Sequence, residues 1–146
     1  MKICIVGAGY VGLSLGVLLS QKYETFALDI SQERVALINE KKSPIKDVEL
    51  EDYLKNKNLK LKATLNKEEA YNNSDFVIIA TPTNYDVLNG SFDTSTVEQV
   101  ISDSISIYKD SNIVIKSTVP LGFTDDMRNK FQKRNIFFSP EFLRES

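Results

Sequence analysis

The 146-residue sequence contains no histidine, no tryptophan and only one cysteine, Cys4. Without histidine, the chain cannot supply a Ser-His-Asp or Cys-His catalytic arrangement, nor a zinc site with a histidine ligand. A single cysteine forms neither an intrachain disulfide nor a thiolate metal cage, which fits a reducing compartment. We therefore expect no metal site and a cytoplasmic location.

A strong charge imbalance and long apolar runs are missing as well. Eighteen Lys and Arg residues against 20 Asp and Glu residues give a net charge of −2. This balance gives no electrostatic reason to expect nucleic acid or an anionic membrane as a partner. No run approaches the ~18 apolar residues of a membrane span. Four glycines interrupt the apolar stretch after Lys2, and no A-x-A cleavage sequence follows it, which argues against a secretory signal.

Short apolar runs alternate with segments of helical periodicity along the chain. The predicted strands are 3–6, 25–28, 59–63, 76–80, 113–115 and 136–138. Most of these runs are continuously apolar, which is typical of strands that are covered on both faces of a parallel sheet. The alternation predicts one α/β domain over residues 1–146, with a doubly wound parallel sheet.

Helices are predicted between the strands from apolar spacing and from capping residues. The first spans Tyr10–Gln21, and Ser31 is the predicted N-cap of the second. Ser95 and Glu98 form an S-x-x-E capping box for the third helix. Thr124 is the predicted cap of the fourth.

The last residues predict the start of one more helix, with Ser139 as its cap and Pro140 at its first position. The sequence then stops at Ser146, before any C-cap. A helix this short is marginal in water by itself. We therefore expect the chain to be a piece of a longer protein.

The segment GAGYVG, residues 7–12, has the G-x-G-x-x-G pattern that follows a strand and opens a helix in dinucleotide-binding folds. Gly7 permits the tight turn, Gly9 lets the backbone approach a pyrophosphate, and Gly12 allows close helix–strand packing. The amides and dipole at the helix start favour an anionic group there. The pattern predicts a Rossmann-type dinucleotide site, with a ligand-free glycine turn as the alternative.

Asp29 ends the second predicted strand, ~20 residues beyond the glycines. A carboxylate at this position accepts hydrogen bonds from the adenosine ribose and repels a 2′-phosphate, which favours NAD over NADP. Arg34 lies close by in the sequence, and an arginine there can accommodate the extra phosphate. We give Asp29 more weight because it stands at the strand end.

Two loops follow strands at the carboxyl edge of the predicted sheet, where ligands bind in open α/β folds. They are Thr81–Tyr85 and Lys116–Gly122. Their hydroxyl groups can hold cofactor phosphates, ribose or a catalytic water. A turn that is built on proline and glycine, without any ligand, is the alternative for either loop.

Four segments, in this order and spacing, resemble the UDP-glucose/GDP-mannose dehydrogenase family. They are GAGYVGLSLG from residue 7, the Thr-Pro-Thr turn at 81–83, KSTVPLG from residue 116 and SPEFLRES from residue 139. The stretches KSPI at 42–45 and TNY at 83–85 place the resemblance nearest to the bacterial members that act on UDP-glucose. The resemblance implies oxidation of a sugar C6 alcohol to a carboxylate by NAD, for capsule and other polysaccharide synthesis.

The resemblance also implies roles for individual residues. Together with the glycine motif, the residues expected at NAD are Gly7, Gly9, Tyr10, Val11, Gly12, Asp29, Arg34, Thr83, Thr118 and Glu145. Those expected along the nucleotide sugar are Glu141, Phe142, Leu143, Arg144 and Glu145. Thr118 is implied to hold a water network near the reacting carbon, while Glu141 and Glu145 assist proton transfer or hydrolysis. The alternative for the two glutamates is an ordinary first helical turn, where their charge favours the dipole.

Several parts of such an enzyme are expected to lie beyond residue 146. By the resemblance these are the nucleophilic cysteine, an active-site lysine, a dimer-forming linker helix and the sugar-binding domain; Cys4 does not match the nucleophile. We therefore expect the chain to bind NAD without turnover and to be a monomer, and the whole enzyme to be a homodimer. GDP-mannose 6-dehydrogenase and a non-catalytic NAD-binding module are the alternatives.

Overall fold

The computed structural model describes residues 1–86 and 90–141. The strands are β1 (Lys2–Val6), β2 (Glu24–Leu28), β3 (Leu61–Thr64), β4 (Phe76–Ile79), β5 (Tyr85–Asp86), β6 (Ser91–Phe92), β7 (Asn112–Ile115) and β8 (Ile136–Phe138). The helices are α1 (Tyr10–Ser20), α2 (Gln32–Asn39), α3 (Val48–Asn56), α4 (Lys67–Tyr71), α5 (Ser95–Ile107) and α6 (Phe123–Lys130). In this described part of the chain, no helix is long and apolar enough to cross a membrane.

Six of the strands form one parallel sheet in the order β3-β2-β1-β4-β7-β8. The chain moves outward from β1 to β3 and then returns to β4 on the other side of β1, so the strand order reverses between β1 and β4. Val6 pairs with both Leu28 and Ile79, which aligns the carboxyl ends of the three central strands. The predicted doubly wound sheet is confirmed, and its switch point lies beside the glycine motif.

Helices cover both faces of the sheet. Successive side chains of a strand point to opposite faces. Accordingly, Cys4 and Val77 belong to one apolar cluster with residues of α4, α5 and α6. Ala27 and Ala63 belong to a second cluster with residues of α1, α2 and α3. Burial on both faces explains why the central strands are continuously apolar.

The predicted N-cap of α2 is right, and the predicted N-caps of α5 and α6 are wrong. Ser31 caps α2, since its side chain accepts a hydrogen bond from the Arg34 amide at 3.3 Å. The capping box of Ser95 and Glu98 is wrong, because Ser95 is the first helical residue of α5 and Thr94 is the N-cap. The Asp93 carboxylate accepts the hydrogen bond of the Ser95 amide at 3.0 Å, so the chain enters the helix one residue early.

Thr124 is likewise not a cap, because α6 begins at Phe123 and Gly122 is its N-cap. Gly122 has φ +84°, a left-handed conformation that glycine adopts without strain. Phe123 is buried, and its amide donates to the Pro120 carbonyl at 3.2 Å. The tight turn therefore starts the helix before Thr124. At the other predicted cap, Pro140 and Glu141 carry no helical assignment, and the rest of that predicted helix lies outside the described residues.

Candidate functional site

The glycine turn after β1 is packed too tightly for side chains at two of its positions. Gly7 has φ +95°, and a Cβ atom added there would lie 2.7 Å from the Ala80 carbonyl oxygen. A Cβ atom added to Gly12 would lie 1.8 Å from the Gly7 carbonyl oxygen. The turn is thereby held against the end of β4 on one side and against α1 on the other.

Gly9 has the opposite surroundings. No heavy atom of the described residues lies within 4 Å of a Cβ atom placed there. Gly9 is the N-cap of α1 and makes no side-chain hydrogen bond to the helix. Because the first amides of a helix lack intrahelical partners and carry its positive dipole end, this open position suits a phosphate group. The cradle fits the pyrophosphate of a dinucleotide.

Asp29, directly after β2, links the glycine turn to the end of this neighbouring strand through a hydrogen bond. Its side chain is only 5% exposed. One carboxylate oxygen, Oδ2, accepts a hydrogen bond from the Ala8 amide at 2.7 Å, and Oδ1 accepts one from the Ser31 amide at 2.8 Å. Arg34 Nη1 lies 3.6 Å from Oδ2. A carboxylate has about four lone-pair positions, so acceptor capacity remains for ribose hydroxyls.

A cleft of about 460 Å³ opens beside this carboxylate. Its lining residues are Asp29, Ile30, Ser31, Glu33, Arg34, Leu37 and Pro44. Ile30 is fully exposed, and the lining combines three apolar residues with four polar or charged ones. The volume is in the range that is typical of sites for small organic ligands. The cleft has the chemistry to take the adenosine end of a dinucleotide.

The loops after β4 and β7 are joined to each other at the same edge of the sheet. Ser117 Oγ donates a hydrogen bond to the Thr81 carbonyl at 2.7 Å. The Thr81 hydroxyl is buried and has no hydrogen-bond partner among the described residues. Thr83 is half-buried and Thr118 is exposed. Thr83 and Thr118 therefore lie on two loops that a hydrogen bond joins to each other, next to the glycine turn.

An ion pair that we did not predict links the ends of β7 and β8. Lys116 Nζ pairs with the carboxylate of Glu141, and it lies 3.4 Å from Ser139 Oγ. The Lys116 side chain is 13% exposed and that of Glu141 is 28% exposed. A lysine that directly follows a short apolar strand is the signal in the sequence that could have identified this residue.

The predicted site residues thus fall into two groups along the carboxyl edge. Around the glycine turn and the cleft lie Gly7, Gly9, Tyr10, Val11, Gly12, Asp29 and Arg34. At the ends of the three strands on the other side lie Thr83, Thr118 and Glu141. The remaining predicted residues, Phe142, Leu143, Arg144 and Glu145, lie outside the described residues.

Cys4 lies within β1 and belongs to neither group. It is completely buried, and burial raises the pKa of its thiol to about 12. A buried thiol of this kind is inert because the thiolate is the nucleophile. This environment fits the expectation that Cys4 has no catalytic role.

A second cleft, of about 540 Å³, lies between the start of α5 and the end of α6. Its charged walls are paired with each other, since Lys130 Nζ lies 2.7 Å from Glu98 Oε2. Thr94 Oγ1 donates to the other Glu98 oxygen at 3.3 Å. The cleft is remote from the glycine turn in the sheet order, and we assign it no role in dinucleotide binding.

This chain is similar to known proteins of one family. The model of the UDP-glucose/GDP-mannose dehydrogenase family, NAD binding domain, matches residues 1–146. The UDP-glucose 6-dehydrogenase of Streptococcus pneumoniae is 51% identical over 146 residues, which are 100% of this chain and 37% of that protein. The enzyme of the same name from Campylobacter jejuni is 49% identical over 147 residues, covering 99% of this chain and 37% of that protein.

Solved structures give the same picture. A ternary complex of GDP-mannose dehydrogenase from Pseudomonas aeruginosa superposes with a TM-score of 0.84 at 29% identity, over 100% of this chain and 37% of the other. UDP-D-ManNAc dehydrogenase from Pyrococcus horikoshii gives a TM-score of 0.84 at 26% identity, with coverages of 99% and 37%. The chain thus spans 37% of the length of these relatives. It belongs to the UDP-glucose/GDP-mannose dehydrogenase family, as the NAD-binding domain of that family.

Proposed function

We propose that the chain is the NAD-binding part of a UDP-glucose 6-dehydrogenase, which oxidises UDP-glucose to UDP-glucuronate. The observation that carries this proposal is the identity of 51% and 49%, over essentially the whole chain, to two enzymes of that name. The site geometry supports it, since the glycine turn and Asp29 meet at the switch point of the sheet. When bound, NAD accepts a hydride from the sugar C6 carbon in each of two successive oxidations.

Different residues of this chain are expected to hold different parts of NAD. Gly9 and the first turn of α1, including Tyr10 and Val11, would hold the pyrophosphate, because this end of the helix offers amides without intrahelical partners and open space. Asp29 accepts hydrogen bonds from the adenosine ribose, and Arg34 flanks the same group. We expect Thr83 and Thr118, on the loops after β4 and β7, to contact the cofactor, and Glu145 to contact it as well.

Glu141, on the segment after β8, and the four residues that follow it in the sequence are assigned to the substrate. We expect the nucleotide sugar to contact Glu141, Phe142, Leu143, Arg144 and Glu145. Carboxylates can serve as acid and base groups, and the family resemblance assigns proton transfer at the reacting carbon to Glu141 and Glu145. Thr118 orients the water that the second oxidation consumes.

The direct test is the yield of NADH per UDP-glucose, measured by absorbance with the full-length enzyme that carries this chain. Oxidation of an alcohol to an acid transfers two hydrides, so we expect a yield of ~2. A yield of ~2 from GDP-mannose, with none from UDP-glucose, would keep the reaction and change the substrate. No NADH from either sugar would leave a non-catalytic NAD-binding module. The chain alone should bind NAD without producing NADH.

We further propose that the enzyme acts in the cytoplasm in polysaccharide synthesis, and that it is a homodimer while the isolated chain is a monomer. The net charge of −2 gives no electrostatic reason to expect nucleic acid or an anionic membrane as a partner. Light scattering after gel filtration tests the oligomeric states. The expected result is the mass of one chain for residues 1–146 and of two chains for the full-length enzyme.

A further inference from the structure

Lys116 is unusually enclosed for a lysine, with a side chain that is 13% exposed. Its backbone is fixed as well, because its amide donates to the Ile79 carbonyl at 2.8 Å and so extends the pairing of β7 with β4. Lysine is almost never buried without a partner for its charge. The position therefore calls for a specific anionic partner.

That partner is Glu141, on the chain segment that follows β8. The Ser139 amide donates to the Ile115 carbonyl at 2.9 Å, which brings the segment alongside the end of β7. Lys116 Nζ then reaches both the Glu141 carboxylate and Ser139 Oγ. A backbone hydrogen bond and an ion pair together set where the carboxylate lies.

This ion pair differs from the others in how little water reaches it. It is the one pair in the described part of the chain in which both side chains are less than 30% exposed. By contrast, Lys42 and Glu40 form a pair with side chains that are 65% and 57% exposed. Charges that are shielded from water interact more strongly than exposed ones, and removing one partner leaves the other uncompensated.

We propose that Lys116 is a positioning residue for the oxidation of the nucleotide sugar, acting through Glu141. It holds the Glu141 carboxylate at the carboxyl edge of the sheet, beside the Thr118 loop, and balances its charge there. A carboxylate that is fixed in this way needs no rearrangement before it takes up a proton. This inference rests on the proposed function, in which Glu141 is an acid/base group.

The experiment uses the full-length enzyme and four variants of it: Lys116→Met, Lys116→Arg, Glu141→Gln and the double variant Lys116→Met/Glu141→Gln. Methionine keeps much of the length and removes the charge, whereas arginine keeps the charge. Lys42→Met is the matched control, because it removes the exposed lysine of an ion pair away from the strand ends.

We expect Lys116→Met to lower kcat at least ~10-fold and to change the KM for NAD less than ~2-fold. Lys116→Arg should recover most of the lost kcat, and Lys42→Met should match the wild type. The double variant should be no slower than Glu141→Gln alone, because residues that act as one unit are not additive. If Lys116 had only a structural role, Lys116→Met would lower the stability and the affinity for NADH along with kcat. The losses of kcat in the double variant would then be additive.

Two results would overturn the inference while leaving the function intact: a kcat for Lys116→Met within ~2-fold of the wild type, or fully additive losses in the double variant. If Lys116→Met fails to fold, Lys116→Leu replaces it with the same predictions, since leucine also removes the charge and cannot donate toward Glu141. A wild-type enzyme that produces no NADH from either UDP-glucose or GDP-mannose would instead refute the proposed function, and the inference with it.

Discussion

Gly9 and Gly12 lie three residues apart in the same turn, yet a side chain has room at Gly9 and none at Gly12. A Cβ atom at Gly12 collides with the backbone of Gly7, whereas one at Gly9 meets open space among the described residues. We predict that Gly12→Ala lowers the free energy of unfolding by at least ~2 kcal/mol, because overpacking against backbone outweighs alanine's better helix propensity. Urea denaturation measures this loss.

Gly9→Ala is the matched variant. It should leave the free energy of unfolding within ~0.5 kcal/mol of the wild type, as surface substitutions usually do. Its added methyl group stands where the pyrophosphate approaches, so the affinity for NADH should fall more than ~10-fold. A folded Gly9→Ala chain with wild-type affinity would show that the phosphate does not lie at this position.

We propose that the Asp29 carboxylate sets the choice of cofactor. It is buried, it accepts a hydrogen bond from the Ala8 amide, and it lies next to Arg34. We predict that Asp29→Asn lowers the ratio of NADH affinity to NADPH affinity at least ~10-fold. The amide no longer repels a 2′-phosphate, and Arg34 becomes free to bind it. Fluorescence titration with both cofactors measures the ratio. An unchanged ratio would contradict the assignment, and Glu33→Gln serves as the control for charge alone.

Cys4 makes the stability of the domain sensitive to alkaline pH. Burial raises the pKa of its thiol from 9.0 to about 12, so between these values the unfolded chain is ionised while the folded chain is not. Stability is full below pH 9 and falls as pH rises, by about 1.4 kcal/mol per pH unit from this group. Burial also raises the pKa of Tyr71, which adds to the loss at higher pH.

We therefore expect urea denaturation to show a loss of stability between pH 8 and pH 10 that is smaller in Cys4→Ala than in the wild type. The quantity to compare between the two proteins is the change in the free energy of unfolding from pH 8 to pH 10. The smaller alanine side chain lowers stability equally at both pH values, so this effect cancels. Equal changes in the two proteins would indicate that the thiol is reached by water in the native state.

At the scale of elements, the helix caps give a matched comparison. Ser31 caps α2 through its side chain, whereas Ser95 occupies the first helical position of α5 without capping it. Ser31→Ala should therefore cost about 1 kcal/mol of stability, and Ser95→Ala should cost less than ~0.5 kcal/mol. The free energies of unfolding from urea titrations decide this. The opposite ranking would restore the capping box that the sequence pattern predicts for Ser95 and Glu98.

The strands were predictable and several smaller elements were not, for physical reasons. All six strands of the main sheet follow from the sequence to within one or two residues. Five of them are continuous apolar runs, which report burial on both faces, and β3 has an alternating pattern instead. The hairpin of β5 and β6 has two residues in each strand, too few to show a period. Helix α4, with five residues, is equally short.

Helix α3 could have been recognised. Asp47 is its N-cap and accepts a hydrogen bond from the Leu50 amide at 2.9 Å, and Leu50 and Leu54 are buried at helical spacing. The apolar positions of α3 stand among many charged residues, which obscures that pattern in the sequence. Caps are harder to predict, because Ser, Thr, Asp and Gly compete for the position within one or two residues and the backbone turn decides among them.

At the scale of the whole molecule, the parallel topology explains why residues that are far apart in the sequence form one edge. Six parallel strands direct every following loop to the same side, so the glycine turn, Asp29 and the threonine loops could be placed there from the sequence. The Lys116–Glu141 pair could not, because it depends on the path of the segment after β8 rather than on any strand.

We propose that this edge of the sheet binds NAD through the glycine turn and Asp29. Isothermal titration of the chain with NADH and with NADPH is the decisive measurement. We predict saturable binding of one NADH per chain, with NADPH at least ~10-fold weaker. No binding of NADH, or equal affinity for the two cofactors, would contradict the account.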